Sequence, residues 1–248
     1  MQFRFRALVF GAGVFITAVF SNQSAQAQYQ SKIRHYNSQG RAYYRGPLRI
    51  TLGGGTTFYN GDLGNNPGDN FLGPAVSLGV LYRLTTHLHI GSEFTYLEMG
   101  ARDKSPERGL AFVSQNGLGT VFFRLDLLPD QSIYASSSAE APTVQVFVQG
   151  GGGLMLYGPQ AYIGTEPPVK SQTFLAPERN DYPALAGVVP VGGGFTVRLG
   201  SQLRAGLEAN YCFTSTDQLD DVNTRLGGSS VGRDGFVTAM LKLSYSLK

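Results

Sequence analysis

The chain has 248 residues, of which 42% are apolar and only 15% charged, and its formal net charge is +3 at pH 7. This charge is too small to indicate a nucleic-acid partner, and a single cysteine excludes an intrachain disulfide framework and a cysteine-rich metal site. The 33 glycines, 16 phenylalanines and 13 tyrosines argue against a helical protein, because glycine is disfavoured in helix interiors and aromatic residues are enriched in strands. The length suits one large β domain.

The N-terminus has the three parts of a secretory signal peptide. Arg4 and Arg6 precede an apolar run at 7–20, which is too short to cross a bilayer comfortably. A polar stretch then ends at Ala27 with the small-x-small pattern that signal peptidase cleaves. A short buried helix is the alternative, but it does not account for the order of these parts. The predicted organisation is a signal peptide at 1–27, a polar lead at 28–47 and a β domain at 48–248.

After the lead, the chain repeats segments of about ten residues in which apolar and polar side chains alternate between turn residues. In the last segment Val237, Leu241 and Tyr245 share one face, while Thr238 and Lys242 share the other. Such segments are typical of strands that cross a membrane at a tilt. The predicted strands are Leu48–Tyr59, Gly73–Leu84, Leu88–Met99, Gly109–Leu127, Val144–Tyr157, Val188–Leu199, Leu203–Phe213 and Gly235–Leu247.

Alternating strands fit two architectures, a water-soluble sandwich of two sheets or a closed barrel in a membrane. The signal peptide, the alternation of short and long connections, and the small residues on the polar faces all favour the barrel. We therefore predict an all-β protein, a transmembrane antiparallel up-and-down barrel of about eight strands. A secreted soluble sandwich is the alternative. Pro190 cannot donate to a strand ladder, so we expect it to mark the start of the sixth strand or a bulge.

The polar faces predict what fills the barrel. About eight strands leave an interior just wide enough for side chains, so we expect no conducting pore. Charged residues on these faces have both signs and need partners, because an unpaired buried charge is costly. The candidates for an interior polar network are Glu93, Arg124, Arg198, Arg204, Glu208 and Lys242.

Four segments resemble a known family. They are Tyr59–Leu63 (Tyr-Asn-Gly-Asp-Leu), the glycine-rich Gly150–Tyr157, Val189–Gly194 (Val-Pro-Val-Gly-Gly-Gly) and the acidic Thr216–Val222. Together they are similar to outer-membrane β-barrels related to PorG, a component of the type IX secretion system. Gln218 stands where that family has tyrosine.

The resemblance implies an eight-stranded outer-membrane barrel that associates with secretion-system or periplasmic proteins. Its long loops are then expected to display the family's signature segments to a partner, although Asp62 is also suited to bracing its own turn. The candidate partner-binding residues are Tyr59, Gly61, Asp62, Leu63, Asp217, Leu219, Asp220 and Asp221.

Evidence for catalysis is weak. The nearest enzyme class is a lipid-deacylating barrel, in which His89 with Glu93 would have to act as a base, yet no His-x-Ser sequence is present. We therefore predict a non-enzymatic protein with outer-membrane lipid as a partner, without a cofactor, a metal, a nucleic-acid partner or a small-molecule substrate. Calcium in the acidic loop is the less favoured alternative to a hydrogen-bonded loop.

Overall fold

The computed structural model describes residues 35–36, 42–43, 48–61, 63, 67–103, 109–130, 142–169, 171–177, 179–222 and 233–247. The predicted signal peptide and the cleavage site near Ala27 lie outside these residues. Strands β1 (His35–Tyr36) and β2 (Ala42–Tyr43) pair with each other and belong to a separate unit. None of the helical segments within the described ranges has the length and hydropathy to cross a membrane.

In the described residues of the second unit, the regular secondary structure is almost entirely strand, because alternating apolar and polar residues favour the pleated conformation. One short 3-10 helix, Pro67–Asp69, precedes β4. The strands are β3 (Arg49–Asn60), β4 (Gly73–Arg83), β5 (Leu88–Arg102), β6 (Leu110–Asp126), β7 (Val144–Tyr157), β8 (Pro159–Ile163), β9 (Ala184–Arg198), β10 (Leu203–Thr214) and β11 (Gly235–Ser246).

Eight of these strands form one closed antiparallel barrel. Each pairs with the next in the order β3, β4, β5, β6, β7, β9, β10, β11. Pairing of β11 with β3, from Gly235 opposite Asn60 to Ser246 opposite Arg49, closes the ring. The predicted eight-stranded barrel is confirmed, and the two-sheet sandwich is wrong because the strands of the barrel unit belong to one continuous sheet.

One strand of the barrel unit was missed, as were the two short strands of the predicted lead. The predicted connection after Tyr157 contains β8, which continues β7 beyond Gly158 and pairs with the first residues of β6. Strand β9 also begins at Ala184, four residues before the predicted Val188. The remaining barrel strand ends lie within three residues of their predicted positions. Strand β8 is hard to predict, because it carries proline, glutamine and few alternating residues.

Pro190 lies in the middle of β9, so its predicted position at a strand start is wrong. It faces Cys212 of β10 in an unbroken register. On the β7 side the pairs run to Gly150 opposite Val191 and resume at Gly153 opposite Val188 in the same register. The proline therefore interrupts the ladder without the extra residue of a bulge.

The alternation of faces is confirmed. In β4 the burial pattern alternates residue by residue, with Ser77 buried and Val76 and Leu78 exposed. In β11 Lys242 points into the barrel and Leu241 points outward. The barrel thus has an apolar outer surface and a polar interior, the reverse of a water-soluble protein.

Candidate functional site

The barrel has two different ends. At the turn end, the connections β4–β5, β6–β7 and β9–β10 meet residues 48 and 247, whose backbones are hydrogen-bonded to each other. At the loop end, β3–β4, β5–β6, β8–β9 and β10–β11 are joined by the other connections. The interior is filled differently at these two ends, and the filling determines what the molecule can do.

A single carboxylate joins three strands at the turn end. Asp130 follows β6, and its carboxylate accepts a hydrogen bond from Arg83 at 2.5 Å. Arg49 and Arg204 approach the same oxygen at 3.6 and 3.7 Å. The four side chains are buried, and the Asp130 N–H also donates to the carbonyl of Thr86. Asp130 therefore fastens the β6–β7 connection across the interior through charge-assisted bonds.

A second ion pair lies beside this cluster. Arg124 donates to Asp126 at 2.7 Å, and its guanidinium lies 3.6 Å from the centre of the Phe147 ring. His89 is fully buried, with Nδ1 3.7 Å from a carboxylate oxygen of Asp126. Arg124 and Arg204 were predicted to point inward. Arg49 and Arg83 were missed, although both occupy interior positions in their strands and the alternation alone could have found them.

Lys242 holds the centre of the barrel together. Its ammonium donates to Glu93 at 2.6 Å and to Glu208 at 2.7 Å, so β11 is linked to β5 and β10. Gln149 of β7, two strands from β10 around the ring, donates to Glu208 at 2.9 Å. A Cβ on Gly53 would lie 3.2 Å from Lys242 Cγ, so this glycine leaves room for the lysine stem. Three of the predicted interior residues, Glu93, Glu208 and Lys242, are therefore joined by ion pairs through the lysine.

Arg198 is the remaining predicted network residue. It lies half-buried at the end of β9 and faces Arg204 in the register of β9 with β10. Its backbone N–H donates to the carbonyl of Thr143. Arg198 therefore belongs to the turn end and not to the Lys242 cluster.

Two small cavities lie on either side of the Lys242 cluster. One, of about 20 Å³, is lined on the turn-end side by Thr51 and Phe147. The other, of about 30 Å³, is lined on the loop-end side by Thr95 and Cys212. Each has room for one or two water molecules. Glu93, Glu208 and Gln149 contact both cavities and separate them.

The loop end is filled by an apolar core. Strand residues such as Leu97, Phe112 and Phe236 pack there with Leu63 and Leu219, which come from the connections. Every one of these side chains is completely buried. The connections therefore fold back into the mouth of the barrel, and their apolar side chains complete its core.

Tyrosine and aspartate residues anchor the β10–β11 connection in this mouth. The Tyr59 hydroxyl lies 2.9 Å from a carboxylate oxygen of Asp220 and 2.7 Å from one of Asp234. Asp234 also accepts from the Leu219 N–H at 2.9 Å, and Asp220 accepts from the Val222 N–H at 3.0 Å. These bonds hold both signature segments against each other inside the barrel.

This placement corrects the expectation that the signature segments are displayed. The side chains of Tyr59, Leu63, Leu219, Asp220 and Asp221 are buried, because they fill and hydrogen-bond the mouth of the barrel. A sequence pattern of acidic and turn residues does not reveal such folding back. Gly61 and Asp217 are half-buried, and Asp62 lies outside the described residues.

The β8–β9 connection is tied to the same anchor. Tyr182 donates to Asp221 at 2.9 Å, and its ring meets Tyr157 edge-on at 5.8 Å. Burial, with the neighbouring Asp221 carboxylate, raises the pKa of the Tyr182 phenol well above its usual value. Nearby, Arg179 donates to Asp181 in an exposed pair and lowers the pKa of that carboxyl. The described parts of the β8–β9 and β10–β11 connections are thus tied to each other at the loop end.

The outer surface carries large apolar side chains on every barrel strand. Representative members are between 39% and 58% exposed, and tyrosines near both rims bond polar groups there, as Tyr245 does with Gln202 and Tyr96 with Glu98. The apolar members include Leu52, Leu78, Phe94, Val121, Leu154, Val191, Leu207 and Leu241.

An apolar band between tyrosine-bearing rims, on a closed barrel with a charged interior, defines a membrane-spanning β-barrel of eight strands. No protein-family model and no curated protein matches the chain. Among solved structures, it is similar to the N-terminal β-barrel domain of Pseudomonas aeruginosa OprF, with 9% identity, a TM-score of 0.41, and coverage of 82% of this chain and 100% of that one.

Two further solved structures are similar to the chain. Neisserial surface protein A has 12% identity and a TM-score of 0.45, with 81% of this chain and 97% of that chain covered. Ail, the attachment invasion locus protein of Yersinia pestis, has 11% identity and a TM-score of 0.45, with 82% and 99% covered. The fold assignment itself depends on the strand pairing described above.

Proposed function

We propose that the protein is a non-enzymatic barrel of the bacterial outer membrane with a structural or protein-interaction role. One observation carries the proposal: large apolar side chains are exposed all around a closed barrel whose charges are inside. In water such a surface would far exceed the apolar patches that monomeric soluble proteins tolerate. In lipid it is favourable, and closure satisfies the backbone groups that hydrocarbon cannot.

Location and closure are tested together by cell fractionation and heat-modifiable migration on detergent gels. We expect the protein in the outer-membrane fraction, with unheated and boiled samples migrating differently because the closed barrel resists detergent. Sequencing of the mature N-terminus tests cleavage after Ala27. Recovery of a folded monomer in buffer without detergent would overturn the membrane assignment.

A matched pair of variants tests which surface meets lipid. Leu241→Arg places a charge on the outward face of β11, and we expect it to destabilise the barrel by about 2–4 kcal/mol near the bilayer centre. Val169→Arg introduces the same charge in the β8–β9 connection, where the residue is 65% exposed, and should have almost no effect. Equal effects of the two substitutions in urea unfolding from lipid would contradict the proposed placement.

The proposed role is not that of an open pore. The Lys242 cluster separates two cavities of only about 20 and 30 Å³, and an eight-stranded barrel has no width for a channel once its interior is filled. In planar bilayers we expect no large stable conductance. Long-lived large openings by the wild-type protein would contradict this part of the proposal.

The position of His89 favours a non-enzymatic role. A deacylating barrel needs a base that reaches lipid, but His89 is fully buried inside the turn end, beside Asp126. Mass spectrometry of lipids from a deletion strain complemented with wild type or His89→Ala tests this point. We expect identical lipids in all strains, and a wild-type-dependent lipid product would contradict the proposal.

For the interaction role, we propose participation in type IX protein secretion. The support is the family resemblance, together with the direct contact between its two signature segments through Tyr59, Asp220 and Asp234. A deletion strain should retain secreted proteins in its periplasm, and the wild-type gene should restore their release. Normal secretion without the gene would remove this role and leave the barrel assignment intact.

A further inference from the structure

The hydrogen-bond ladder of the barrel wall is interrupted between β7 and β9. In an antiparallel strand, the N–H and C=O of one residue face the same neighbour, and successive residues alternate. Arg198 donates its N–H toward Thr143, just before β7, so the even-numbered residues of β9 face β7. Pro190 therefore faces Gly151, and it has no N–H to donate to the Gly151 carbonyl.

Strand pairing is interrupted at this point. The register of β7 with β9 lacks the pairs that Gly151 and Gly152 would make with Pro190 and Val189. A missing ladder bond is costly in hydrocarbon, where no water replaces it. We call this place, formed by Gly151, Gly152, Val189 and Pro190, the β7–β9 seam.

The wall is also thin at the seam. Gly152 lies on the outer face, and a Cβ there would meet nothing within 4 Å. A Cβ on Gly151 would come within 2.6 Å of Phe122 Cα, so β7 lies close against β6 on its other side. Gly152 therefore adds no side chain to the lipid side of the seam, where Val189 is the outward residue opposite it.

A cavity lies directly behind the seam. The cavity of about 30 Å³ is lined by Gly150 and Pro190 on one side and by Cys212 and Glu208 on another. Its lining includes Gln149, whose buried side-chain oxygen has no hydrogen-bond partner in the part of the chain that the structure describes. The cavity thus adjoins the wall where the ladder is broken, and one polar atom in its lining lacks a hydrogen-bond partner among the described residues.

In the described part of the barrel, side chains fill the axis on both sides of this cavity. Lys242, Glu93 and Glu208 lie toward the turn end, and the apolar core with Leu97 and Phe236 lies toward the loop end. Among these described residues, the seam is the part of the wall that adjoins the cavity and lacks a complete ladder. Molecules that come this way arrive from lipid, which strongly disfavours charged solutes.

We propose that the β7–β9 seam is a lateral entry site through which small uncharged molecules dissolved in the membrane reach the interior cavity. The site builds on the proposed membrane placement. The small cavity restricts entry to molecules of a few heavy atoms, and the free acceptor of Gln149 favours those that donate a hydrogen bond.

The single cysteine reports on entry, because Cys212 lines the cavity. The barrel is reconstituted in lipid vesicles, and its folding is checked by heat-modifiable migration. It is then treated with iodoacetamide or with the negatively charged iodoacetate, two small alkylating reagents, and Cys212 modification is followed by peptide mass spectrometry. We expect the uncharged reagent to modify Cys212 much faster than the charged one.

Pro190→Val restores the missing donor and should seal the seam. We expect modification by iodoacetamide to slow about five- to tenfold, the factor that one added backbone hydrogen bond provides. Val191→Ala, on the lipid face of the same strand, leaves the ladder as it is and should label like wild type. Equal rates for Pro190→Val and wild type would overturn the proposal.

A disulfide lock gives a second test that does not depend on Pro190→Val folding. Gly152→Cys with Val189→Cys places two cysteines opposite each other across the seam, at the close approach of a non-hydrogen-bonded pair. Oxidation should protect Cys212 from iodoacetamide, and reduction should restore its modification. Ala209→Cys with Ala239→Cys, an outward pair of β10 and β11, is the matched control and should not protect.

The outcomes separate the two proposals. Equal protection by both locks, or fast modification by the charged reagent, would show that Cys212 is reached along the axis and would overturn the lateral entry site. Failure of the protein to enter vesicles at all would contradict the membrane placement instead.

Discussion

The two halves of the barrel interior are held by different chemistry. Toward the turn end, buried charges such as Asp130, Arg83 and Lys242 form ion pairs. Toward the loop end, apolar side chains such as Phe112 and Leu219 fill the mouth, and tyrosines bond aspartates above them. Ion pairs tie specific strands together, whereas apolar packing mainly excludes water. A closed barrel can therefore use its strands for charge pairing at one end and its connections for packing at the other.

The largest expected effect is in the charged half. Lys242→Met leaves Glu93 and Glu208 close together without their cation, and we expect it to lower the free energy of unfolding by about 3–5 kcal/mol. Urea unfolding of the lipid-reconstituted barrel measures the loss. The triple variant Lys242→Met, Glu93→Gln, Glu208→Gln removes all three charges and should recover most of it. A triple variant as unstable as the single one would show that the lysine acts through packing and not through charge.

The free energy of unfolding should fall almost as much when a cavity is created in the apolar half. Leu219→Ala removes a fully buried side chain of the β10–β11 connection and should cost about 3 kcal/mol. It should also increase proteolysis of that connection in intact vesicles. Leu72→Ala is the control, because Leu72 is 81% exposed, and it should change neither quantity. An unchanged stability of Leu219→Ala would mean that the loop-end core does not contribute to folding.

A smaller effect is expected from the charge that fastens the β6–β7 connection. Asp130→Asn keeps the shape of the side chain but removes the negative charge among Arg49, Arg83 and Arg204, and should cost about 2 kcal/mol. Guanidinium unfolding from detergent micelles measures it. Asp181→Asn alters an exposed ion pair at the loop end and serves as the control, with no measurable loss expected. Similar losses for both would remove the distinction between the two ends.

The smallest effect depends on pH. The folded pKa of the Tyr182 phenol is raised above its unfolded value of 10.0, so its bond to Asp221 contributes fully below pH 10 and is lost as the pH rises above that value. The free energy of local opening of the β8–β9 connection, taken from exchange rates relative to the intrinsic rate at each pH, should therefore fall above pH 10. Tyr182→Phe should lower this free energy by about 1 kcal/mol at neutral pH and remove its fall above pH 10. A wild-type profile that matches the variant at every pH would contradict the proposed tether.

Sequence patterns predicted the barrel well because alternation is local. The faces of Leu241 and Lys242 follow from their neighbours alone, and so do the inward positions of Glu93 and Glu208. The partners of Lys242 did not follow, since β5 and β11 are distant in sequence and their meeting depends on the closed ring. Burial of Leu219 and Asp220 was missed for the same reason, because a connection that folds into the barrel has no alternation to reveal it.

The interruption at Pro190 of β9 depends on the strand that it faces as well as on the proline itself. The absence of an N–H at Pro190 led to the prediction of a strand start or a bulge, and both were wrong, because the outcome depended on the opposite strand. Four consecutive glycines at Gly150–Gly153 allow β7 to keep its register past the proline without a bulge. The sequence contained both parts, and only the register showed that they lie opposite each other.

Pairing of β3 with β11 has a consequence for how the molecule is made. The first and last barrel strands must meet, as Arg49 does with Ser246, before the ring is complete. Until the last strand has been synthesised, β3 presents an unpaired edge, which is a template for aggregation. Contacts between such distant segments also form slowly. The unfolded chain is therefore prone to self-association until β11 pairs with β3.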